Sequence, residues 1–226
     1  TPILFDRLTS EQVYNAKISG VLTPFMNEYN NASPYGKATP NRTGASLLVS
    51  SDTNMKNICF EVGADMLNEI IGEGTADTRS FLVVKGGVKL ELGKMLDWNR
   101  KFDVSVGGRM EKTSRDGKGS IALTSTVADA GVSFEVVKKV DLLLGYKMFS
   151  AEGNEFQAPR NDFNQIVNMT EVNINSSQSV ASAGLQLRFS PQQAFSVNYN
   201  MVTYNALLAS NSYNISQLFL VYQGKF

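Results

Sequence analysis

Ionisable side chains in this sequence fall on one parity of alternating segments instead of gathering in compact clusters. Lys17, Glu61, Lys85, Lys89, Glu91 and Asp103 do so, followed by Arg109, Glu111, Asp129, Glu135, Lys147 and Arg188. Carboxylates so placed have two chemistries open to them. A pair such as Asp103 and Asp129 could exchange protons with a substrate as general acid and base, or each could be a counter-ion to a Lys or Arg on a neighbouring segment. The second is expected, because the chain contains no His, which removes Ser-His-Asp and Cys-His nucleophile systems and His-ligated zinc together. Cys59, the single Cys, falls on a polar parity and reads as a structural thiol. The glycine pairs Gly86-Gly87 and Gly107-Gly108 lack the strand-to-helix spacing of a phosphate cradle. With 21 basic against 21 acidic residues, there is no electrostatic footprint for nucleic acid. No enzymatic activity, cofactor, metal or nucleic-acid partner is expected.

Such charges need elements that hold alternate residues on opposite faces, and period 2 surrounds them. Phe102, Val104, Val106, Gly108 and Met110 share one face, while Asp103, Ser105, Gly107, Arg109 and Glu111 share the other. The same division runs through Ala128–Val136, Leu142–Met148, Ala181–Phe189, Phe195–Met201 and Leu218–Phe226. With weaker contrast it runs through Tyr14–Leu22, Ala45–Val49, Ile58–Met66 and Leu82–Leu92. This makes about ten strands of about ten residues, the length a tilted strand needs to cross a bilayer, where soluble strands average about five or six. No run approaches the roughly 18 apolar residues of a helical membrane span.

The connections alternate in length. Short polar turns fall at Ser51–Asn54, Asp97–Arg100, Val137–Lys139 and Ser190–Gln193; long loops fall at Phe25–Asn41, Leu67–Thr78, Lys112–Thr126, Ala151–Gln178 and Tyr204–Ser212. Outer-membrane barrels sort short turns to the periplasm and long loops outside. Trp98, Phe102, Phe189, Phe195 and Phe226 sit at the short-turn ends, and Tyr29, Tyr35, Tyr204 and Tyr213 near the long-loop ends. That placement reads as two aromatic girdles, or more plainly as aromatics capping an ordinary β-core.

At the C-terminus, Leu218, Leu220, Tyr222 and Phe226 alternate up to the final residue. This ending resembles the terminal strand of Gram-negative outer-membrane β-barrels, although Gly224 stands where a hydrophobic residue is usual. The Asn-rich loops are similar to those of Bacteroidota barrels. The resemblance implies that these four side chains are read by the barrel-assembly machinery, and that the chain lives in the bacterial outer membrane among lipid, with both termini in the periplasm. Beginning at Thr1 without an apolar leader, the sequence is expected to be a mature form or an excised fragment.

The expected fold is therefore all-β: a transmembrane antiparallel up-and-down β-barrel of about ten strands, or the C-terminal part of a larger one. Residues 13–226 form the barrel, and 1–12 a periplasmic or plug segment. Its apolar face must meet lipid, so the charged row, with Asp65 among it, must line the lumen as a salt-bridge network. The expected role is a scaffold or accessory subunit of an envelope complex for secretion, assembly or uptake. Partner contacts are sought in the longest loop, at Phe156, Arg160, Asp162 and Phe163. A passive porin-like channel and a soluble β-sandwich binding module are the alternatives.

Overall fold

A computed structural model describes residues 32, 40–51, 57–72, 75–117, 119–157, 170–190, 193–205 and 212–224. Nine strands follow one another: β1 (Arg42–Ser50), β2 (Ile58–Glu69), β3 (Ser80–Leu90), β4 (Phe102–Arg115), β5 (Ile121–Val137), β6 (Val140–Gln157), β7 (Thr170–Ser190), β8 (Gln193–Asn205) and β9 (Tyr213–Gly224). Each pairs antiparallel with its sequence neighbour, giving one up-and-down sheet in the order β1 to β9. Among the described residues β1 and β9 do not pair, so the sheet is not closed. The strand expected over Tyr14–Leu22 lies outside the described residues, as does the segment 1–12.

Alternation decides which side of each strand is buried. On β4, Glu111, Thr113 and Arg115 are buried while Val106 and Met110 are exposed; on β5, Ile121, Leu123, Ser125, Gly131 and Ser133 are buried while Ala130 and Val136 are exposed. All nine strands lie in one sheet, so among the described residues no second sheet covers the apolar rows. A single sheet that buries one face must curl around it, and contacts between next-nearest strands show this curl. Arg188 on β7 reaches past β6 to Glu135 on β5, and the Arg115 guanidinium on β4 lies 5.8 Å from the Phe156 ring on β6.

Three expectations about connections change. The loop expected over Ala151–Gln178 is mostly strand, because β6 and β7 pair from Ala151 opposite Ser176 to Gln157 opposite Thr170. Phe156 is therefore a strand residue, half-buried against the interior cluster. The loop over Lys112–Thr126 shrinks to 116–120, shorter than the β3–β4 connection at 91–101. Loop length thus sorts the two ends of the sheet less regularly than the sequence suggested. Finally, β3 ends at Leu90, and Leu92 opens a short helix, α1 (Leu92–Met95), instead of extending the strand. Buried Gly93 allows this turn, since a side chain there would collide with the Arg100 carbonyl.

Candidate functional site

The inner face carries the candidate residues. At the short-turn end they join into a chain of ion pairs that crosses five strands. Lys94 Nζ lies 2.5 Å from Glu91, Lys89 lies 3.3 Å from Glu91 and 3.6 Å from Asp103, and Lys101 lies 3.7 Å from Asp103 and 3.9 Å from Asp141. Arg188 closes the chain, 2.9 Å from Asp141 and 2.7 Å from Glu135. The Lys94 ammonium, hydrogen-bonded to Glu91, holds that carboxyl below the usual carboxylate range and is itself raised in return. Glu135 and Arg188 both sit where the register shifts, at Glu135/Val137 and Arg188/Ser190. A bulge re-aims the side chain it carries, and here two bulges on different strands aim opposite charges at each other.

Further up the sheet, Lys85 pairs with Glu61 at 3.1 Å and Arg109 with Glu111. Glu111 also accepts the Ala32 backbone N–H at 2.8 Å, which draws that residue onto Phe81 and Val83 of the inner face. Glu69 takes Arg42 at 3.2 Å and Arg79 at 4.0 Å. Asp129 and Lys147 oppose each other in the register, and Asp65 faces inward outside these pairs. Several polar side chains lie flat over a glycine directly across the ladder. A methyl group on Gly107 would stand 2.9 Å from the Asp129 carboxylate, and Gly145 with Ser182 and Gly184 with Asn198 repeat the arrangement. The inward glycines are thus the beds in which neighbouring polar groups rest.

Not every candidate is brought together. Asp103 opposes Ser133 while Asp129 opposes Gly107, about 13 Å apart along the strands, so the two carboxylates form no acid–base pair. Tyr204 and Tyr213 stack at 5.0 Å on the inner parity, not on an outer girdle. Leu218, Leu220 and Tyr222 point outward and are exposed. Lys17, Arg160, Asp162, Phe163 and Phe226 lie outside the described residues. Cys59 is half-buried on the inner parity of β2. No group of three or more His, Cys, Asp or Glu that could hold a metal occurs among the described residues. Asp141, fully buried, and Lys101 belong to the network although the sequence did not single them out. Asp141 holds the inward parity of β6, and Lys101, one residue before β4, continues the inward parity of that strand, so extending the parity past the strand ends would have found both.

The outer face is the complement. Val106 is 52% exposed, Leu185 53% and Leu218 66%, with Val62, Met66, Val84, Leu144, Tyr146, Tyr199 and Met201 also bare. This belt crosses the hydrogen-bonded rows obliquely. The row through Val106 meets β2 at Phe60, near the short-turn end of its apolar stretch, but meets β8 at Met201, the other end, and β9 at Ser216, beyond it. On β5 to β7 the polarity then inverts above the belt. Outward Thr124, Glu152, Glu171, Asn173 and Asn175 are polar and exposed, while inward Ile121, Leu123, Phe149, Ala151 and Ile174 form a buried apolar cluster. The class the fold defines is thus an all-antiparallel meander, inside-out over one part of its height and outside-polar above it. Comparison with protein-family models, with curated proteins and with solved structures finds no match for the chain.

Proposed function

We propose that this chain is an outer-membrane β-barrel with an occluded, charge-lined interior, serving as a scaffold or accessory subunit of an envelope complex. The observation that carries the reading is the distribution of polarity. An exposed apolar belt runs across the outer face of the sheet while charges such as Asp141 and Glu111 are buried and paired on the inner face. In water that arrangement wastes apolar burial and pays for charge desolvation, whereas in a bilayer it is the required one. The oblique belt adds support. Its centre drifts about one residue per strand, which at about 3.3 Å per residue and about 4.8 Å between strands corresponds to a tilt of about 35° if the belt lies level. Membrane barrels tilt by about 35–45°. Strands of 17, 18 and 21 residues on β5, β6 and β7 exceed the crossing length, and their excess is the part with inverted polarity.

The buried, ion-paired side chains on the inner face of β4 to β7 favour a scaffold over a channel, leaving the loops and outer wall as its means of contact. Extraction should require detergent, and the folded form should migrate faster than the boiled form on a gel. Its native particle after mild extraction should be larger than a monomer. Reconstituted in a planar bilayer it should conduct little, whereas steady conductance steps would turn the reading to a porin-like channel. Release from cells without detergent would refute the membrane reading itself.

A further inference from the structure

The connection between β3 and β4 is held firmly and yet turns its apolar side chains outward. Lys94 and Met95 donate backbone N–H bonds to the Glu91 carbonyl at 3.0 and 3.1 Å, Leu96 to Leu92 at 3.0 Å and Trp98 to Gly93 at 2.8 Å. Met95, Leu96 and Trp98 nevertheless remain 46%, 59% and 54% exposed. The β5–β6 hairpin stands beside it, with Val136 and Val137 also exposed. Arg100 Nη1 donates to the Val136 carbonyl at 2.9 Å, and Glu135 N–H to the Lys101 carbonyl at 2.9 Å, so the two turns form one surface.

Charge on this surface is one-sided. Arg100, Lys138 and Lys139 are exposed and have no ion-pair partner among the described residues. The neighbouring carboxylates of Glu91 and Glu135 are engaged with Lys94, Lys89 and Arg188, leaving Asp97 as the exposed acid. The patch is also continuous with the apolar belt, since Trp98 packs 6.0 Å from Phe102, and Phe102 5.8 Å from Phe134. Apolar side chains that continue a membrane belt, topped by unpaired cations, match the acyl boundary and the phosphate layer of a leaflet.

We propose that these two turns form an interfacial anchor that gathers anionic phospholipid on the short-turn side, with Met95, Leu96 and Trp98 in the acyl boundary and Arg100, Lys138 and Lys139 on the headgroup phosphates. The proposal rests on the membrane reading above, and the test separates the two. Trp98 is the only Trp in the chain, so its fluorescence reports this surface alone. The full chain is placed in bilayer nanodiscs containing brominated phosphatidylglycerol or, at equal mole fraction, brominated phosphatidylcholine. Trp98 should be quenched preferentially by the anionic lipid. The preference should fall by about fivefold for each cation removed among Arg100→Gln, Lys138→Gln and Lys139→Gln, and Lys112→Gln, distant on β4, should leave it intact. Equal quenching by both lipids, or a preference abolished by free inorganic phosphate, would overturn the anchor while heat-modifiable mobility kept the barrel. Failure to enter the discs at all would overturn both.

Discussion

Arg188 binds two carboxylates, Glu135 and Asp141, and Asp141 has no exposed surface. Removing one partner of a buried charge pair costs about 3–5 kcal/mol, chiefly because the remaining charge is stranded. Arg188→Ala should fall at the lower end of that range, since Lys101 stays 3.9 Å from Asp141, and urea titration of the inserted protein measures it. Replacing Gly107 tests the interior differently. A Val there would press on the Asp129 carboxylate, costing about 1–3 kcal/mol as overpacking does. Adding Asp129→Ala should restore most of the loss, so a double-mutant cycle without coupling would refute the bed arrangement. At this scale the charged row could be read from alternation, but its partners could not. Which Lys meets which Asp depends on register and curl, and some of the pairs formed here skip a strand, as Arg188 with Glu135 does across β6.

A strand carries the environment along its length as well as across its faces. Outward positions on β5 pass from Phe134 and Val132 through Ala130 to Thr126 and Thr124, and with them the proposed surroundings pass from lipid to water. Ala130→Arg should then impair insertion by about 2–4 kcal/mol while Thr124→Arg, on the same face, should be nearly neutral. On β4 the contrast is between faces: Val106→Arg should carry the same penalty, and Ser105→Arg, inward against Gly131, should be better tolerated. Heat-modifiable mobility after refolding into lipid reads both comparisons, and equal tolerance within either pair would sink the face assignment. The inversion also explains why 151–178 looked like a loop. Its outward residues are Glu152, Asn173 and Asn175 and its inward ones Ala151 and Ile174, so among the described residues of this stretch a search for apolar side chains on the outward parity finds only Phe156. The parts of the strands under the apolar belt were legible because a single alternation, apolar outward and polar inward, runs through them; their extensions obey the opposite rule.

Nine strands in an antiparallel meander leave β1 and β9 running in the same direction. Direct pairing of these edges would be parallel, the one such pairing in the sheet, whereas one further strand between them restores antiparallel pairing on both sides. Both edges are bare over apolar positions, with Leu47, Leu48 and Val49 exposed on β1 and Leu218 and Leu220 on β9. An unpaired edge inside a bilayer leaves backbone groups unsatisfied at a cost of several kcal/mol each, so a membrane-spanning form must close. The segment Tyr14–Leu22 lies outside the described residues, but its sequence alternates like the other strands and precedes β1 in the chain, which makes it the candidate for that strand. Deleting residues 13–22 should therefore abolish the gel-mobility difference between folded and boiled protein, while deleting residues 1–12 should preserve it. If both truncations stay heat-modifiable, closure must come either from direct parallel pairing of β1 with β9 or from another chain, and the particle mass distinguishes them, since only the second adds a copy or a partner.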